Sequence, residues 1–575
     1  MRLRWLAAPL LLLAPVTALA QTATLDPDTI TVRGVPVGRN GKPVDMSSWY
    51  VAETEHVLVY GTQEERITRL AHNLEKLHLL LSTLFSRLDD SDDAVKLSVV
   101  LVNNDVDFRR LDLRGVRAQR GPFPAAFPGA YYYDPRDDGA VLATTAEDQK
   151  IALDPGTDLF SALTRLGPQG VAMQRSLARI GQPDLEDART GEVAYLVTPE
   201  SRIYAGYAQH YLLTYFPAAY PRWYLDGFGE VFATIDASQD GAIQYGEVPE
   251  GYLKVLDWYG RYPVSRLLDG SYLAEPGGRP RWTPIHAFAL VHLLFFSESW
   301  REPLRAYLEA VANGASRADA AVKLDAAKLQ AELAGYRGRK IPNDRLYFPA
   351  ERAPPPLLRQ LTRAESWQVR ERLLLGSRLD PPSTPREARK VAGRRRDWLR
   401  ELRRVAGRYP ESRGLQLVLA EAECRSGNAA GCLDAADLAL VAAPGNATAL
   451  AWRGVALTQQ ALAGPAARRA EGLRGAREAL ARAIRADSDG VRGLLAYSAS
   501  FADAGEPLSA DAVAGLEKAV ARAPWSAAAR LRLGEALAKR GDATGARVAL
   551  LPVAQGAWDS PERARAAALL AALAR

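Results

Sequence analysis

The apolar positions in the first half of the chain indicate strands and helices in alternation. The segment HVLVYG (56–61) alternates as a strand does, and KLSVVLVNN (96–104) is an apolar β-branched run that indicates a buried strand. Between them, residues 62–88 repeat their apolar positions at helical spacing. Thr62 and Glu65 have the spacing of a capping box, which predicts Thr62 as the N-cap of this helix.

Two further patterns complete this half of the chain. Residues 129–144 predict two short strands around the turn DPRDDG, and helical patterns dominate from residue 158 to about residue 340. Together these elements predict a mixed α/β domain over residues 21–345. The prolines of ERAPPPLLRQ and LDPPSTPRE follow, and clustered prolines favour extended chain, so we expect a linker over residues 346–385.

Residues 386–575 have a different pattern, rich in Ala, Leu and Arg and with helical spacing throughout. Pro410 and Pro444 lie 34 residues apart, and Gly427 and Gly541 are separated by three such periods plus twelve residues. An internal repeat of this length indicates stacked helical pairs. The spacing resembles that of tetratricopeptide repeats.

Small residues recur where that family brings the two helices of one repeat into close contact. They are Ala420, Cys432, Ala439, Gly454, Gly534 and Ala546. The twelve additional residues fit largely within residues 463–475. The resemblance implies an all-α helical solenoid over residues 386–575, whose surface binds a protein or peptide partner.

Residues 1–20 have the features of a cleavable signal peptide. Arg2 and Arg4 precede an apolar run, and the tripeptide Ala-Leu-Ala at 18–20 has the small-x-small pattern of a cleavage site. Gln21 follows instead of Cys, so no lipid attachment is predicted. No later apolar stretch is long enough to span a bilayer. We therefore expect a periplasmic or secreted protein with no transmembrane helix in the mature chain.

The charge balance gives little support to a nucleic-acid partner. Lys and Arg number 73 and Asp and Glu number 67, for a net charge of +6, which is small for 575 residues. The basic stretch 386–408 predicts a helix with a solvated face, or one that contacts an acidic protein or lipid surface. We expect no nucleic acid to bind an exported protein of this charge.

The chain contains two cysteines, Cys424 and Cys432. An oxidising compartment allows a disulfide between them. Both also lie on helical patterns as small residues, which suits two buried free thiols equally well. The sequence leaves both states open.

Candidate chemistry concentrates in residues 203–232, IYAGYAQHYLLTYFPAAYPRWYLDGFGEVF. His210 lies in an apolar helical pattern, and Asp226 and Glu230 follow it. Helical zinc sites of peptidases take two histidines one turn apart on a single helix face, with a glutamate beside the first histidine as the general base. Such a site needs three protein ligands, and the third comes from a following helix.

The segment PRWYLDGFGEVFATI resembles the proline–tryptophan–glutamate–glycine segment of bacterial peptidase MA-like metallopeptidases, which are gluzincins. WYVAETEHVLVYG, FPGAYYYD and TPIHAFALVHLLFF also resemble this group, so the resemblance extends over roughly residues 49–340. It implies an α+β zincin-like domain of the thermolysin type.

Residue by residue, the resemblance places the second histidine ligand at His210 and the third ligand, a glutamate in the family, at Asp226. Glu230 falls on the second acidic residue of the motif. Gly206 stands in place of the first histidine and Tyr207 in place of the catalytic glutamate. Glycine has no ligating side chain, and tyrosine, with a reference pKa near 10, is a poor base at neutral pH. We therefore predict vestigial ligand and catalytic positions, with no cofactor bound.

Other interpretations of these residues remain open. His286 or His292 can complete a zinc site only by reaching it from a packing helix. Without metal, His210 is a core histidine with a hydrogen-bond partner. Asp226 is then a helix N-cap, or the partner of His210 or of a nearby arginine.

The sequence thus predicts an exported envelope protein with an inactive gluzincin-like domain and a helical-repeat domain for protein–protein interaction. One alternative is an active zinc-dependent peptidase with an unusual ligand set that includes His210 and Asp226. A second alternative is a glycan-binding envelope protein, which predicts exposed Trp and Tyr side chains along a groove.

Overall fold

The structure, a computed structural model, describes most of the chain, and the predicted signal peptide lies outside the described residues. The described ranges are 29–32, 35–38, 49–87, 95–113, 131–152, 194–239, 241–258, 262–274, 283–336, 343–379, 385–557 and 560–574. The chain divides into two compact units, Met1–Ser47 and Ser48–Arg575. In the first unit, β1 (Thr29–Val32) and β2 (Val35–Gly38) form an antiparallel pair.

The second unit contains both strands and helices. Its strands are β3 (Tyr50–Glu53), β4 (Val57–Gly61), β5 (Leu97–Val102), β6 (Tyr132–Asp134), β7 (Val141–Thr145), β8 (Gln149–Ala152), β9 (Ala194–Val197), β10 (Ala242–Tyr245), β11 (Asp344–Tyr347) and β12 (Leu357–Gln360). The helices that precede β12 are α1 (Glu64–Leu84), α2 (Asp105–Arg110), α3 (Pro199–Tyr215), α4 (Arg222–Ala233), α5 (Glu250–Trp258), α6 (Val264–Leu268), α7 (Thr283–Phe296), α8 (Glu298–Ala312), α9 (Arg317–Ala321) and α10 (Ala326–Ala334).

The remaining helices follow β12. They are α11 (Arg363–Leu379), α12 (Pro385–Arg408), α13 (Arg413–Arg425), α14 (Ala429–Ala442), α15 (Ala447–Ala463), α16 (Ala466–Ala486), α17 (Val491–Ala502), α18 (Ala510–Arg522), α19 (Ala527–Lys539), α20 (Ala543–Ala554) and α21 (Arg563–Leu573). None of the helices in the described ranges combines the length and apolar character needed to cross a bilayer.

Six strands form a mixed sheet in the order β12-β3-β4-β5-β7-β6. β4, β5 and β7 are parallel, and α1 provides the crossover from β4 to β5. The outer pairs β12–β3, β3–β4 and β6–β7 are antiparallel. The strands predicted from 56–61, 96–104 and 129–144 are confirmed as β4, β5 and the pair β6–β7.

Side chains of the sheet alternate between two cores, as the period of a strand requires. Val99 and Leu101 of β5 pack on the side of α1 and α3, whereas Val100 and Val102 pack with Leu373 of α11. All six residues of β5 are buried, as its continuous apolar run predicts.

The predicted N-cap of α1 was wrong by one residue. The helix begins at Glu64, and its N-cap residue, Gln63, makes no side-chain capping bond. The Thr62 hydroxyl donates a hydrogen bond to the Asn103 side chain at 2.5 Å instead. Because this bond joins α1 to the end of β5, the Thr62 side chain is used across the sheet and not within the helix.

The segment 346–385 contains more regular structure than its prolines predict. Strand β12 pairs with β3 at the edge of the sheet, and α11 packs against the next two helices. Leu375 of α11, Trp398 of α12 and Val418 of α13 share one buried cluster. The apolar side chains between the prolines therefore outweigh the extended preference of the prolines. The division of the chain at residues 345 and 386 stays a prediction.

The C-terminal part is a mostly helical, tetratricopeptide-like solenoid. Helical pairs α13–α14, α15–α16, α17–α18 and α19–α20 follow one another, and α11, α13, α15 and α17 pack in succession. Gly427 and Gly541, one of the spaced glycine pairs, both have positive φ angles, 81° and 83°, in the turns between paired helices. The additional twelve residues are absorbed by the longer helices α15 and α16.

The predicted close approach of paired helices is confirmed. A Cβ atom at Gly454 would lie 2.4 Å from Leu480, and one at Gly534 would lie 2.5 Å from Leu550. Ala439 and Ala546 are fully buried. Small side chains at these positions let each pair of helices pack backbone against side chain.

Cys424 and Cys432 form a disulfide, which selects one of the two states that the sequence left open. The bond joins the end of α13 to the start of α14 and is buried at both residues. It ties the two helices of the first complete pair together.

Candidate functional site

Helices α3 and α4 carry the predicted site residues through the centre of the core. The Thr198 side chain accepts a hydrogen bond from the backbone N–H of Ser201, and Pro199 occupies the first turn, so α3 begins with two favourable residues. Every residue of α4 is buried. The predicted site is therefore an interior one.

His210 is held between the sheet and the solenoid. Its Nδ1 atom lies 2.9 Å from the Tyr133 hydroxyl of β6, and its Nε2 atom lies 3.4 Å from the Thr214 hydroxyl. The indole ring of Trp525, from the residues just before α19, packs on the imidazole with ring centroids 4.7 Å apart. The exposed fraction of His210 is 6%.

The two acidic positions both contact arginines. Asp226 accepts a hydrogen bond from Nε of Arg222, one turn earlier in α4, at 2.7 Å. Glu230 binds Arg202 of α3 in a two-pronged ion pair at 2.8 and 3.1 Å, and the Tyr252 hydroxyl donates to the same carboxylate. Three metal-free interpretations of Asp226 were open, and the structure agrees with the one in which it pairs with a nearby arginine. The helix begins at Arg222, so Asp226 is not an N-cap.

The residues present do not fit a zinc site of the gluzincin type. A Cβ atom at Gly206 would lie 2.6 Å from a terminal methyl group of Leu142 in β7, so a histidine at this position requires the Leu142 side chain to move. His210 and Asp226 are engaged by a tyrosine and an arginine. Across the described ranges, no three side chains of His, Cys, Asp or Glu are grouped so as to hold a metal ion.

Tyr207 belongs to a separate polar chain, which runs between α3 and α1. Its hydroxyl lies 2.8 Å from Nδ1 of His78, and the His78 ring stacks on His56 with centroids 3.6 Å apart. Nδ1 of His56 lies 2.6 Å from the Glu75 carboxylate. Burial raises the pKa of Glu75, but the hydrogen bond and charge of His56 outweigh it, so the pKa lies below its usual value.

The other histidines considered for the site make contacts elsewhere. Nε2 of His292 lies 2.9 Å from the Gly246 carbonyl oxygen. His286 packs near Tyr262, and burial lowers its pKa to about 4, so it is neutral at physiological pH.

The aromatic residues of the 203–232 segment are buried, which bears on the glycan-binding alternative. Trp223, Tyr211, Tyr224 and Tyr220 are between 1% and 9% exposed. They pack as core residues and do not form the exposed groove that glycan binding predicts.

A junction of charged residues joins the sheet to the solenoid. Arg136, in the turn between β6 and β7, lies 2.9 Å from Glu421 of α13, and its carbonyl oxygen accepts a hydrogen bond from the Trp525 indole at 2.8 Å. Asp138, in the same turn, lies 2.8 Å from Arg372 of α11. The turn DPRDDG is thus enclosed by the first helices of successive pairs.

Electrostatic compensation at this junction offsets the cost of burial. Burial lowers the pKa of Arg136, but the carboxylates of Glu421 and Asp138 outweigh it and raise the pKa above the usual value. Burial raises the pKa of Glu421, and Arg136 and Arg492 outweigh it and hold it below the usual range. Asp138 is shifted well below its usual pKa in the same way, chiefly by Arg372 against burial.

A cavity of about 290 Å³ lies beside the junction, and Trp525, which packs on His210, is part of its wall. Leu213 of α3 and Leu225 of α4 form part of its wall on one side. On the solenoid side, Trp525, Arg530 of α19 and Ser560 line it. The complete lining is Pro135, Arg136, Asp137, Leu213, Pro217, Ala218, Tyr220, Leu225, Glu421, Arg425, Arg492, Pro524, Trp525, Ala527, Ala528, Arg530, Pro552, Val553, Gly556, Ala557, Ser560 and Glu562.

Sequence reasoning missed the residues that form this cavity. DPRDDG was recognised as a turn, but nothing local indicates that its charges pair with helices more than 230 positions away. Trp525 directly follows Pro524 in the sequence. Only the packing of the solenoid brings the Trp525 ring onto His210. The charged residues of the turn DPRDDG are the one feature of the sequence that indicates contacts with other charged residues.

Comparison with known proteins gives no family assignment. No family model matches the chain, and no curated protein matches it. Among solved structures, a thermophilic TPR protein of Thermus thermophilus is 20% identical, covering 32% of this chain and 93% of that chain with a TM-score of 0.28. The structure of MamA is 18% identical, covering 30% of this chain and 95% of that chain with a TM-score of 0.22.

Proposed function

We propose that this is an exported, non-catalytic protein that binds a protein or peptide partner through its helical repeats. In this proposal the N-terminal part is an inactive zincin-like domain derived from a gluzincin peptidase, without zinc. The observation that carries the proposal is the stacked array of helical pairs, an architecture that presents a long, continuous surface.

The arrangement of the array favours its outer surface for the partner. The first helices of successive pairs hold the turn between β6 and β7, so part of that face is covered by the chain itself. On α14, a second helix of a pair, Leu438 and Val441 are 42% and 81% exposed. These residues are three apart and share one face of the helix.

The geometry around His210 supports a non-catalytic role. Trp525 covers the imidazole, Asp226 is paired with Arg222, and the Leu142 side chain packs against Gly206, which stands in place of the first histidine. A hydrolytic site needs an open position for water beside its metal or base. The side chains at this position instead form hydrogen bonds and ion pairs with one another.

Two features support export. Residues 1–20 have the pattern of a cleavable signal peptide. Cys424 and Cys432 form a disulfide, a bond that persists in oxidising compartments and is rare in the reducing cytosol. The proposed location is the periplasm or the exterior. Intact mass measurement of the mature protein tests this directly, since cleavage yields a chain that begins at Gln21.

Site-specific photo-crosslinking tests the partner surface. A photoreactive amino acid replaces Val441 in the full chain, expressed in its native host, and Val322 serves as the matched control. The two side chains are 81% and 82% exposed, but Val322 lies in the N-terminal part. A discrete adduct from position 441 and none from position 322 supports the proposal. Equal adducts from both positions, or none from position 441, contradict it.

Elemental mass spectrometry tests the non-catalytic claim. The mature wild-type chain and its His210→Ala variant are purified in parallel, and zinc is measured per chain. We expect no stoichiometric zinc in either protein. Zinc that is near stoichiometric in the wild type and lost in the variant would contradict the proposal and favour the peptidase alternative.

A further inference from the structure

One buried cation lines the cavity without a carboxylate to compensate it. Arg530 is 6% exposed, and its Nε atom donates a hydrogen bond to the Pro524 carbonyl oxygen. Among the described residues, its two terminal nitrogens have no hydrogen-bond or ion-pair partner. Burying a cation without a paired anion is costly, so such a residue indicates a ligand that supplies the anion.

The other arginines of the cavity wall are already matched by carboxylates. Arg136 and Arg425 lie 2.9 and 3.2 Å from the two oxygens of Glu421. Arg492 lies 3.6 Å from Asp137 at the same end. Glu562, the remaining acidic residue of the lining, does not contribute to the electrostatics of Arg530. Arg530 therefore provides the unbalanced charge.

A second group in the wall also lacks a partner. The Ser560 hydroxyl is buried and has no hydrogen-bond partner among the described residues. Ala527 and Ala528, the first residues of α19, line the same cavity, and the N-terminal end of a helix favours negative charge. Arg530, the Ser560 hydroxyl and the start of α19 therefore all suit an anionic group.

The remaining lining is apolar. Leu213, Leu225, Trp525 and Val553 face the same space, and its volume is near the lower end for small-molecule sites. We infer that this cavity binds a monocarboxylate carried on an apolar body, with Arg530 and Ser560 holding the carboxylate. The inference goes beyond the proposed partner binding and does not depend on it.

The electrostatics of Arg530 agree with this assignment. Burial lowers its pKa to about 10, and no neighbouring carboxylate offsets the effect. A bound carboxylate would supply that missing interaction. A phosphate dianion fits less well, because Asp137, Glu421 and Glu562 also line the cavity and oppose a second negative charge.

Calorimetric titration of the purified mature chain tests the inference with acids and their neutral amides. The probes are 3-phenylpropionate against 3-phenylpropionamide, and N-acetyl-Ala-Phe with a free carboxylate against the same peptide amide. We expect each acid to bind about tenfold or more tightly than its amide, as charge-assisted hydrogen bonds to arginine predict. In Arg530→Met this preference should disappear, and Arg530→Lys should retain part of it.

Arg532→Met provides the matched control, since Arg532 lies on the same helix but does not line the cavity. It should leave the preference unchanged. Tighter binding of 3-phenylpropionate than of N-acetyl-Ala-Phe would identify a small organic acid as the source of the carboxylate. Tighter binding of the peptide acid would identify the C-terminus of a peptide. Equal binding of acid and amide, a preference that survives in Arg530→Met, or no binding of either acid would overturn the inference.

Discussion

Arg136 and Arg530 line the same cavity and are almost equally buried, at 5% and 6% exposure, but different groups surround them. Arg136 faces Glu421 and Asp138, which raise its pKa despite burial. Arg530 faces no carboxylate, and burial lowers its pKa to about 10. Equal burial therefore has opposite electrostatic consequences for two arginines of one cavity.

The difference separates a structural use of charge from a binding use. Around Arg136, opposite charges pair with one another and join the sheet to the solenoid. Arg530 is a desolvated cation without such a partner, and this arrangement does not favour folding. Residues that oppose stability in this way are typical of functional sites. The following predictions test the comparison, beginning with the largest expected effect.

Glu421→Gln should break the buried ion pairs around Arg136. The variant keeps the shape of the side chain but leaves Arg136 and Arg492 with less negative charge in a buried site. We expect the free energy of unfolding to fall by about 3–5 kcal/mol, as for the loss of one partner of a buried ion pair. Urea denaturation measures the change. Glu309→Gln, which removes an exposed partner of Arg305, is the control and should cause no measurable change.

Removal of the disulfide should destabilise the region around Glu421 less strongly than Glu421→Gln does. Glu421 lies one turn before Cys424, and the bond fixes the end of α13 against α14. Closing a loop with a sequence separation of 8 residues stabilises a protein by roughly 2 kcal/mol in the chain-entropy view. The paired substitution Cys424→Ser and Cys432→Ser should lower the free energy of unfolding by that amount. Equal stability of variant and wild type in oxidising buffer would contradict this.

Low pH should weaken the ion pairs that Asp138 and Glu421 make with the buried arginines. The folded-state pKa values of Asp138 and Glu421 lie below their ordinary values of 3.8 and 4.5. Their stabilisation is therefore complete above about pH 5 and is lost as the pH falls through the lowered values. The melting temperature of the wild type should fall more steeply below about pH 4.5 than that of Glu421→Gln. Parallel curves for the two proteins would show that this carboxylate is not the titrating group.

Arg530→Met should have the smallest and opposite effect. The substitution removes an uncompensated buried charge and keeps an apolar side chain of similar length. We expect the free energy of unfolding to stay the same or rise by up to about 1 kcal/mol. The same change at Arg136 should lower it. A clear loss of stability in Arg530→Met, measured by the same denaturation, would remove the distinction between the two arginines.

Local patterns predicted the elements of the fold, because strand and helix periods repeat along the sequence. β4, β5 and the pair β6–β7 lie where the apolar patterns predict them. Gly454 and Gly534 lie where the repeat spacing requires close helix contacts. The capping box at Thr62 was wrong because the hydroxyl bonds to Asn103, a contact across the sheet that no local pattern encodes.

The candidate site could be located in the sequence only in part. His210 and Asp226 attracted attention through a local motif, but their actual partners are Tyr133 and Arg222. The cavity beside them forms where α3 and α4 meet a solenoid that begins much later in the chain. Neither the covering of His210 by Trp525 nor the isolation of Arg530 has a signal within a few residues. Such features depend on tertiary packing alone.

Strand β12 is the edge strand of the main sheet beside β3, and about 300 residues separate these two strands. At synthesis rates of roughly 5–20 residues per second, β3 waits for roughly 15–60 s until β12 has been made. Until then, the outer row of amide and carbonyl groups of β3 is open to pairing with other chains. The biogenesis of this protein therefore includes an interval in which β3 itself is the open edge of the sheet, and that interval ends only when the proline-flanked segment, which carries β12, emerges.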